Sequence, residues 1–204
     1  MSGRQAFPAR DAKQLRRIIQ AVDRDNAVIA LMLEFMALTG LRYSDVSQLR
    51  FDDVIVNGVI RSTVIIIQRK IYAKSVAAGK SHNAARAVAK LAVHLNEQCR
   101  AVIEDLAHIN HGKKMLFESP TNPGKPYTCQ MANVLLKRVA TELKLDYQLS
   151  THSFRKTFAL ALVKNGAAIH QVRDSLGQAS LSSTDHYLRT FLSDTEALVG
   201  DIRF

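Results

Sequence analysis

The stretch AVIALMLEFMALTGLRYSD, running from Ala27 to Asp45, decides the fold class. Ala27 to Leu38 is apolar nearly all round, with Glu34 as its single charge. That pattern predicts a helix buried on every side, which requires other helices packed around it. The run is too short to span a bilayer, where about 20 apolar residues are needed. Thr39-Gly40 predicts its end, because glycine supplies the left-handed conformation that closes a helix. Arg42 therefore stands just past a buried helix, and a short helix over Tyr43 to Leu49 is expected next, started by Ser44 and Asp45.

Working outward, Asp11 to Arg24 has apolar residues at helical spacing, with Asp11 placed to cap it. Downstream, Asn57-Gly58 predicts a turn, and the β-branched run Ser62 to Gln68 predicts a strand. Leu91 to Leu95 reads as its partner. Between them Tyr72 to Ala89 is Ala-rich, so the hairpin carries a helical insertion at its tip. A helix over Asn96 to Ile109, a short strand Met115 to Phe117 and a Pro/Gly-rich loop from Glu118 to Tyr127 follow. Helices are expected over Cys129 to Leu143, Thr151 to Asn165, Ala168 to Leu176, Ser182 to Thr190 and a final stretch near 192–202. The fold class is thus α+β, mainly α-helical, with a small antiparallel sheet in one domain spanning residues 1–204.

Composition narrows the function. The chain has 204 residues, 47% of them hydrophobic, with nine Gly and four Pro, which excludes disordered and collagen-like classes. Cys99 and Cys129 show no metal-binding spacing and cannot build a disulfide framework, so a reducing cytoplasm is expected. The first residues, MSGRQAFPAR, contain no export signal. Charge is the outstanding feature: 28 Lys and Arg against 18 Asp and Glu, net +10. Residues 54–96 hold Arg61, Arg69, Lys70, Lys74, Lys80, Arg86 and Lys90 and no acid, so +7 of the +10 falls there. An unscreened basic stretch repels itself unless a polyanion lies against it, which makes nucleic acid the first candidate and an anionic membrane surface the second.

Three short segments carry the chemistry. Thr39-Gly-Leu-Arg42-Tyr-Ser-Asp45 is the first. In Thr151-His152-Ser-Phe-Arg155, a cap at Ser150 or Thr151 puts His152 and Arg155 on one face of a helix's first turn. Leu176-Gly177-Gln178 is followed nine positions later by Tyr187, in His186-Tyr187-Leu188-Arg189. In this order and with these gaps, the segments resemble the catalytic domain of the tyrosine recombinases, the phage-integrase family, from about Asp11 to Tyr187. By position Arg42 matches the family's first active-site arginine, Arg155 the second, His152 the histidine before it and Tyr187 the nucleophile. Asp45 stands where the family has a supporting acid. Gln178 departs from the usual histidine or tryptophan; it can donate a hydrogen bond to phosphate but cannot exchange a proton as imidazole does. The family's hairpin lysine normally stands in Gln-x-Lys-Thr. Gln68-Arg69-Lys70-Ile71 makes Lys70 the choice, with Lys80 and Lys90 as alternatives.

The resemblance implies attack by Tyr187 on a DNA phosphodiester. Charge gathering on the non-bridging oxygens would be clamped by Arg42 and Arg155, fixed guanidiniums in place of metal ions. A tyrosine's pKa of about 10 calls for a positive neighbourhood or a base, which the arginines and His152 would supply. Lys70 would protonate the leaving 5′ oxygen, and the resulting 3′-phosphotyrosine ester conserves the bond energy, so no cofactor is expected. Arg69, Lys74, Lys80, Arg86 and Lys90 are the candidates for DNA-backbone contact. Singly, each residue has an ordinary reading: Arg42 as a helix C-cap, His152 as a partly buried imidazole, Tyr187 as a residue of an amphipathic helix.

The expected function is site-specific recombination or integration on double-stranded DNA. Relaxation of the type IB topoisomerase kind, or a catalytically weakened DNA-binding protein on the same fold, are the alternatives. The match begins within about a dozen residues of Met1, so the family's N-terminal clamping domain is expected to be absent. The tail near 192–202 is expected to dock on a neighbouring protomer within a homo-tetramer on paired sites, with a monomer off DNA. Lodged in a bacterial, phage or plasmid genome, such a protein would act in the cytoplasm and touch no membrane.

Overall fold

The computed structural model describes residues 6–178. Helix α1 (Ala12–Asp23) starts where Asp11 accepts the Gln14 N–H, as its position predicts. Helix α2 (Ala27–Thr39) follows an Asn26 cap and buries nine of its thirteen residues. It is the central post: α1, α7 (Glu97–Ile109) and α9 (Thr151–Lys164) all pack on it, and α8 (Cys129–Glu142) packs on α1 and α9. Phe35 and Phe117 meet at its centre, 5.9 Å between ring centroids. Gly40 ends α2 at φ +67°, and its bare Cα faces Phe158, whose ring would lie 2.3 Å from an added Cβ. The glycine thus serves both the turn and the close approach of α9.

Two short turns follow, α3 (Tyr43–Val46) and α4 (Phe51–Val54). Helix α3 begins from Arg42, not from Ser44 and Asp45, and no side chain caps it. Asn57-Gly58 does turn the chain, joining β1 (Ile55–Val56) to β2 (Val59–Ile60). Strand β3 (Thr63–Ile67) then pairs antiparallel with β4 (Lys90–His94), in the register Val64↔Val93 and Ile66↔Leu91. Those four side chains are buried and Ile65 between them is exposed, the period of two that puts one face on the core. The insertion between these strands is a helical pair, α5 (Arg69–Ala77) and α6 (His82–Ala89), pinned by a Tyr72 hydroxyl 2.7 Å from His82 Nδ1.

The expected strand at Met115 to Phe117 is a correction. Met115 makes a single bridge to Arg50 and the chain turns away, its backbone held by Leu116 N donating to Leu49 O. Helix α10 (Ile169–Leu176) closes the described chain, ending at Gly177 with φ +57°. The segment Ala6 to Ala9 lies along α9: Lys156 donates to the Ala6 carbonyl at 2.7 Å, and Thr157 accepts the Ala9 N–H at 2.9 Å. Among the described residues no helix is long and apolar enough to cross a membrane.

Candidate active site

The left-handed turn at Gly40 sends the chain out of the core, and Arg42 emerges in extended conformation at the start of α3. Its Nη1 donates to Oε1 of Gln68, the residue between β3 and α5. One turn on, Asp45 is only 4% exposed, and its Oδ1 accepts the Arg69 N–H at 2.9 Å. Its Oδ2 is buried with no hydrogen-bond partner among the described residues. Burial pushes the Asp45 carboxyl above the ordinary carboxylate range; the Arg69 N–H bond, Arg42 and Arg155 pull the other way. Asp45 therefore lies in the field of both candidate arginines and ties α3 to the first turn of α5, which carries Lys70.

Ser150 is the N-cap of α9, its N–H taken by Ser153 Oγ at 3.1 Å, and Asn133 of α8 accepts the Thr151 N–H at 3.0 Å. With that start fixed, His152 is exposed and Arg155, one turn later, is 4% exposed. The Arg155 guanidinium donates through Nη1 to the Gly40 carbonyl and through Nη2 to the Leu176 carbonyl at 2.9 Å. Those carbonyls belong to the C-terminal ends of α2 and α10, where orphan acceptors and the negative pole of the helix dipole both favour a cation. Arg155 is thus clamped by two helix ends that would otherwise bury unpaired oxygens.

His152 reports how the cations converge. Its pKa is lowered from the ordinary histidine value by partial desolvation, then by Arg155, Lys156, Lys70 and Arg42 in that order. Lys80 and Lys90 are not among these causes. A depressed imidazole binds fewer protons folded than unfolded, so its contribution to stability is present above about pH 6.5 and is lost as pH falls through the folded value. Proton NMR of the His152 ring should accordingly give a pKa below about 6.5 that moves up in Lys70→Ala and stays put in Lys80→Ala. Equal shifts in both variants would contradict the placement.

The structure brings together Arg42, Lys70, His152 and Arg155. Gln178 follows the Gly177 turn directly, its N–H on the Arg173 carbonyl at 3.0 Å, beside the helix end that Arg155 clamps. Tyr187 lies outside the described residues. Lys74, Lys80, Arg86 and Lys90 are exposed along the helical pair; Arg69 is exposed, and its backbone carries the bond to Asp45. Among the described residues none of these five, nor Lys70 or Arg61, forms a salt bridge. No group of three or more His, Cys, Asp or Glu that could hold a metal ion occurs among the described residues. Sequence reasoning missed Gln68 as Arg42's partner. It also missed Lys156, which is 7% exposed, its pKa lowered by desolvation. The one signal for Gln68 is an amide ending a β-branched strand; Lys156 shows none.

The tyrosine recombinase XerD of Halalkalibacterium halodurans is 25% identical over 175 residues, covering 81% of this chain and 52% of its own. That of Rickettsia prowazekii is 26% identical over 189 residues, covering 85% and 56%. The chain spans about half the length of these curated relatives. In fold it is similar to the XerA recombinase, with a TM-score of 0.71 at 17% identity over 100% of this chain and 68% of that one. The model of the phage integrase family matches residues 10–193, nearly the whole chain and every segment of the site, and the chain belongs to that family.

Proposed function

We propose that this chain is the catalytic domain of a site-specific DNA recombinase or integrase that cuts and rejoins strands through a 3′-phosphotyrosine. The observation that carries this reading is geometric: Arg155 of α9 holds the ends of α2 and α10 two residues from Arg42, and Asp45 ties the α3 turn after Arg42 to the turn that bears Lys70, with His152 in the field of all three cations. The Tyr187 oxygen attacks phosphorus and gives up its proton; His152, held neutral at pH 7 by its surroundings, can accept it. Arg42 and Arg155 draw the charge that develops on the non-bridging oxygens, and Gln178 donates to one of them. The phosphorus–5′ oxygen bond breaks as Lys70 gives the departing oxygen a proton. Reversal by another strand's 5′ hydroxyl rejoins the DNA and frees Tyr187. No step consumes a cofactor.

Arg69, Lys74, Lys80, Arg86 and Lys90 extend the positive surface along α5 and α6 and suit the backbone of duplex DNA on either side of the cut. A homo-tetramer on paired sites, with a monomer off DNA, completes the proposal; a lambda integrase of similar fold, bound as a dimer to a COC′ core site, supports the part of it that places more than one copy on DNA. The place of action is the DNA-bearing compartment of a bacterial cell, the cytoplasm. The test is a nicked duplex bearing a site recovered from bound genomic fragments. A protein–DNA adduct that survives denaturation, with the phosphate on the Tyr187 peptide by mass spectrometry, is expected. No adduct, or one on another residue, would overturn the reading.

A further inference from the structure

Gln68 is 1% exposed and held from every side. Its N–H donates to the Ala89 carbonyl at 2.8 Å, locking the base of the helical pair, and its carbonyl accepts the Tyr72 N–H at 2.9 Å, starting α5. Its side-chain oxygen takes Arg42 Nη1. The other end of the amide lies against Gly177, where an added Cβ would come within 1.7 Å of Nε2. One neutral side chain thus touches the first arginine's guanidinium and the turn that leads into Gln178. A buried amide is costly unless bonded, and its acceptor here is spent on a cation. A carboxylate would hold Arg42 as firmly, but its charge would compete with a phosphate for that cation. A neutral acceptor orients the fork and leaves its charge available.

We propose that Gln68 is a positioning residue: it sets the plane of the Arg42 guanidinium without neutralising it, and keys that plane to the Gly177 turn. This rests on the DNA-cleavage reading, so one readout is independent of DNA. In the 15N NMR spectrum, Arg42 Nη groups should rotate slowly in the native protein and in Gln68→Glu, and average in Gln68→Met. An Arg42 signal unaltered in Gln68→Met would overturn the proposal, whatever the protein does to DNA.

The second readout is single-turnover cleavage at saturating substrate. Gln68→Met should slow it by about tenfold to a hundredfold, a loss of the size that small misplacements cause, with DNA affinity within about threefold. In an Arg42→Ala background the same change should slow it less than about twofold, since a residue acting through Arg42 has nothing left to position. A purely structural residue would cost the same in both backgrounds, and that result would overturn the proposal. Gln68→Glu, which keeps size and acceptor, should hold Arg42 yet slow cleavage by about tenfold or more. Cleavage at the native rate in that variant would refute the argument for neutrality. An inactive native protein would instead count against the DNA-cleavage reading, leaving the NMR comparison to decide Gln68.

Discussion

Arg155→Lys should slow strand cleavage by about a hundredfold to a thousandfold, the range seen when one preorganised donor to a developing oxyanion is lost. The charge is kept, so DNA affinity should stay within several-fold. What lysine lacks is the planar fork. Arg155 spans two carbonyls, Gly40 at the end of α2 and Leu176 at the end of α10, and a guanidinium has five donors with which to serve both and a phosphate oxygen. An ammonium at that depth satisfies one carbonyl and leaves the other buried and unpaired, at about 1–3 kcal/mol. For a domain of this size about 2 kcal/mol lowers the melting temperature by about 4–8 °C. Single-turnover kinetics together with calorimetry check both figures. Cleavage within about threefold of native would show that Arg155 serves the fold alone. A full loss of cleavage with unchanged melting would show that the helix-end contacts carry no stability.

Much of the frame was legible because it rests on local rules. An all-round apolar helix ending at Gly40 predicts its own burial, and nine of its residues are buried. The β-branched run and its partner announce a hairpin, and the Ala-rich segment between them announces a helical insertion. The errors lie where local preference lost to tertiary pairing. Helix α5 begins at Arg69, three residues before its expected start, because β3 stops at the Ile67↔Lys90 pair and Asp45 takes the Arg69 N–H. Lys70 therefore sits on a helix's first turn, not at a strand end. Met115 to Phe117 has strand composition, yet only one residue finds a ladder partner.

The site was legible to a different degree. Arg42, His152 and Arg155 could be named because the short motifs that carry them resemble those of the tyrosine recombinases. That Arg155 would be buried and bonded to the Gly40 and Leu176 carbonyls could not be read from residues that meet only in the folded chain. Asp45 was expected as a supporting acid; that it joins α3 to α5 through the Arg69 N–H was not legible. Gln68 and Gly177 both stand in the quoted motifs, yet neither was expected to act, because a strand-ending amide and a helix-ending glycine look ordinary in sequence. Their meaning lies in the contact between them.

That contact makes Gly177→Ala a disruptive single-methyl change near the site. Alanine must adopt φ +57°, which costs about 1–2 kcal/mol by itself. Its Cβ also falls 1.7 Å from Gln68 Nε2 and 2.8 Å from Cδ, distances no packing tolerates, so the amide must leave a site where it is 1% exposed. Overpacking of that kind adds about 1–3 kcal/mol. A total loss of about 2–5 kcal/mol, read by urea unfolding, is therefore expected, and with Arg42 released cleavage should fall by about tenfold to a hundredfold. The pairing makes a sharper demand on the double variant. Gly177→Ala with Gln68→Ala removes the clash, so the steric part of the stability should return while the backbone cost remains. Cleavage should stay low, because Arg42 has still lost its acceptor. On adding one substitution, stability would then rise while activity stayed low. If both recover together, Gly177 matters to Gln68 only as space. If neither recovers, the strain lies in the turn, and the amide is not its cause.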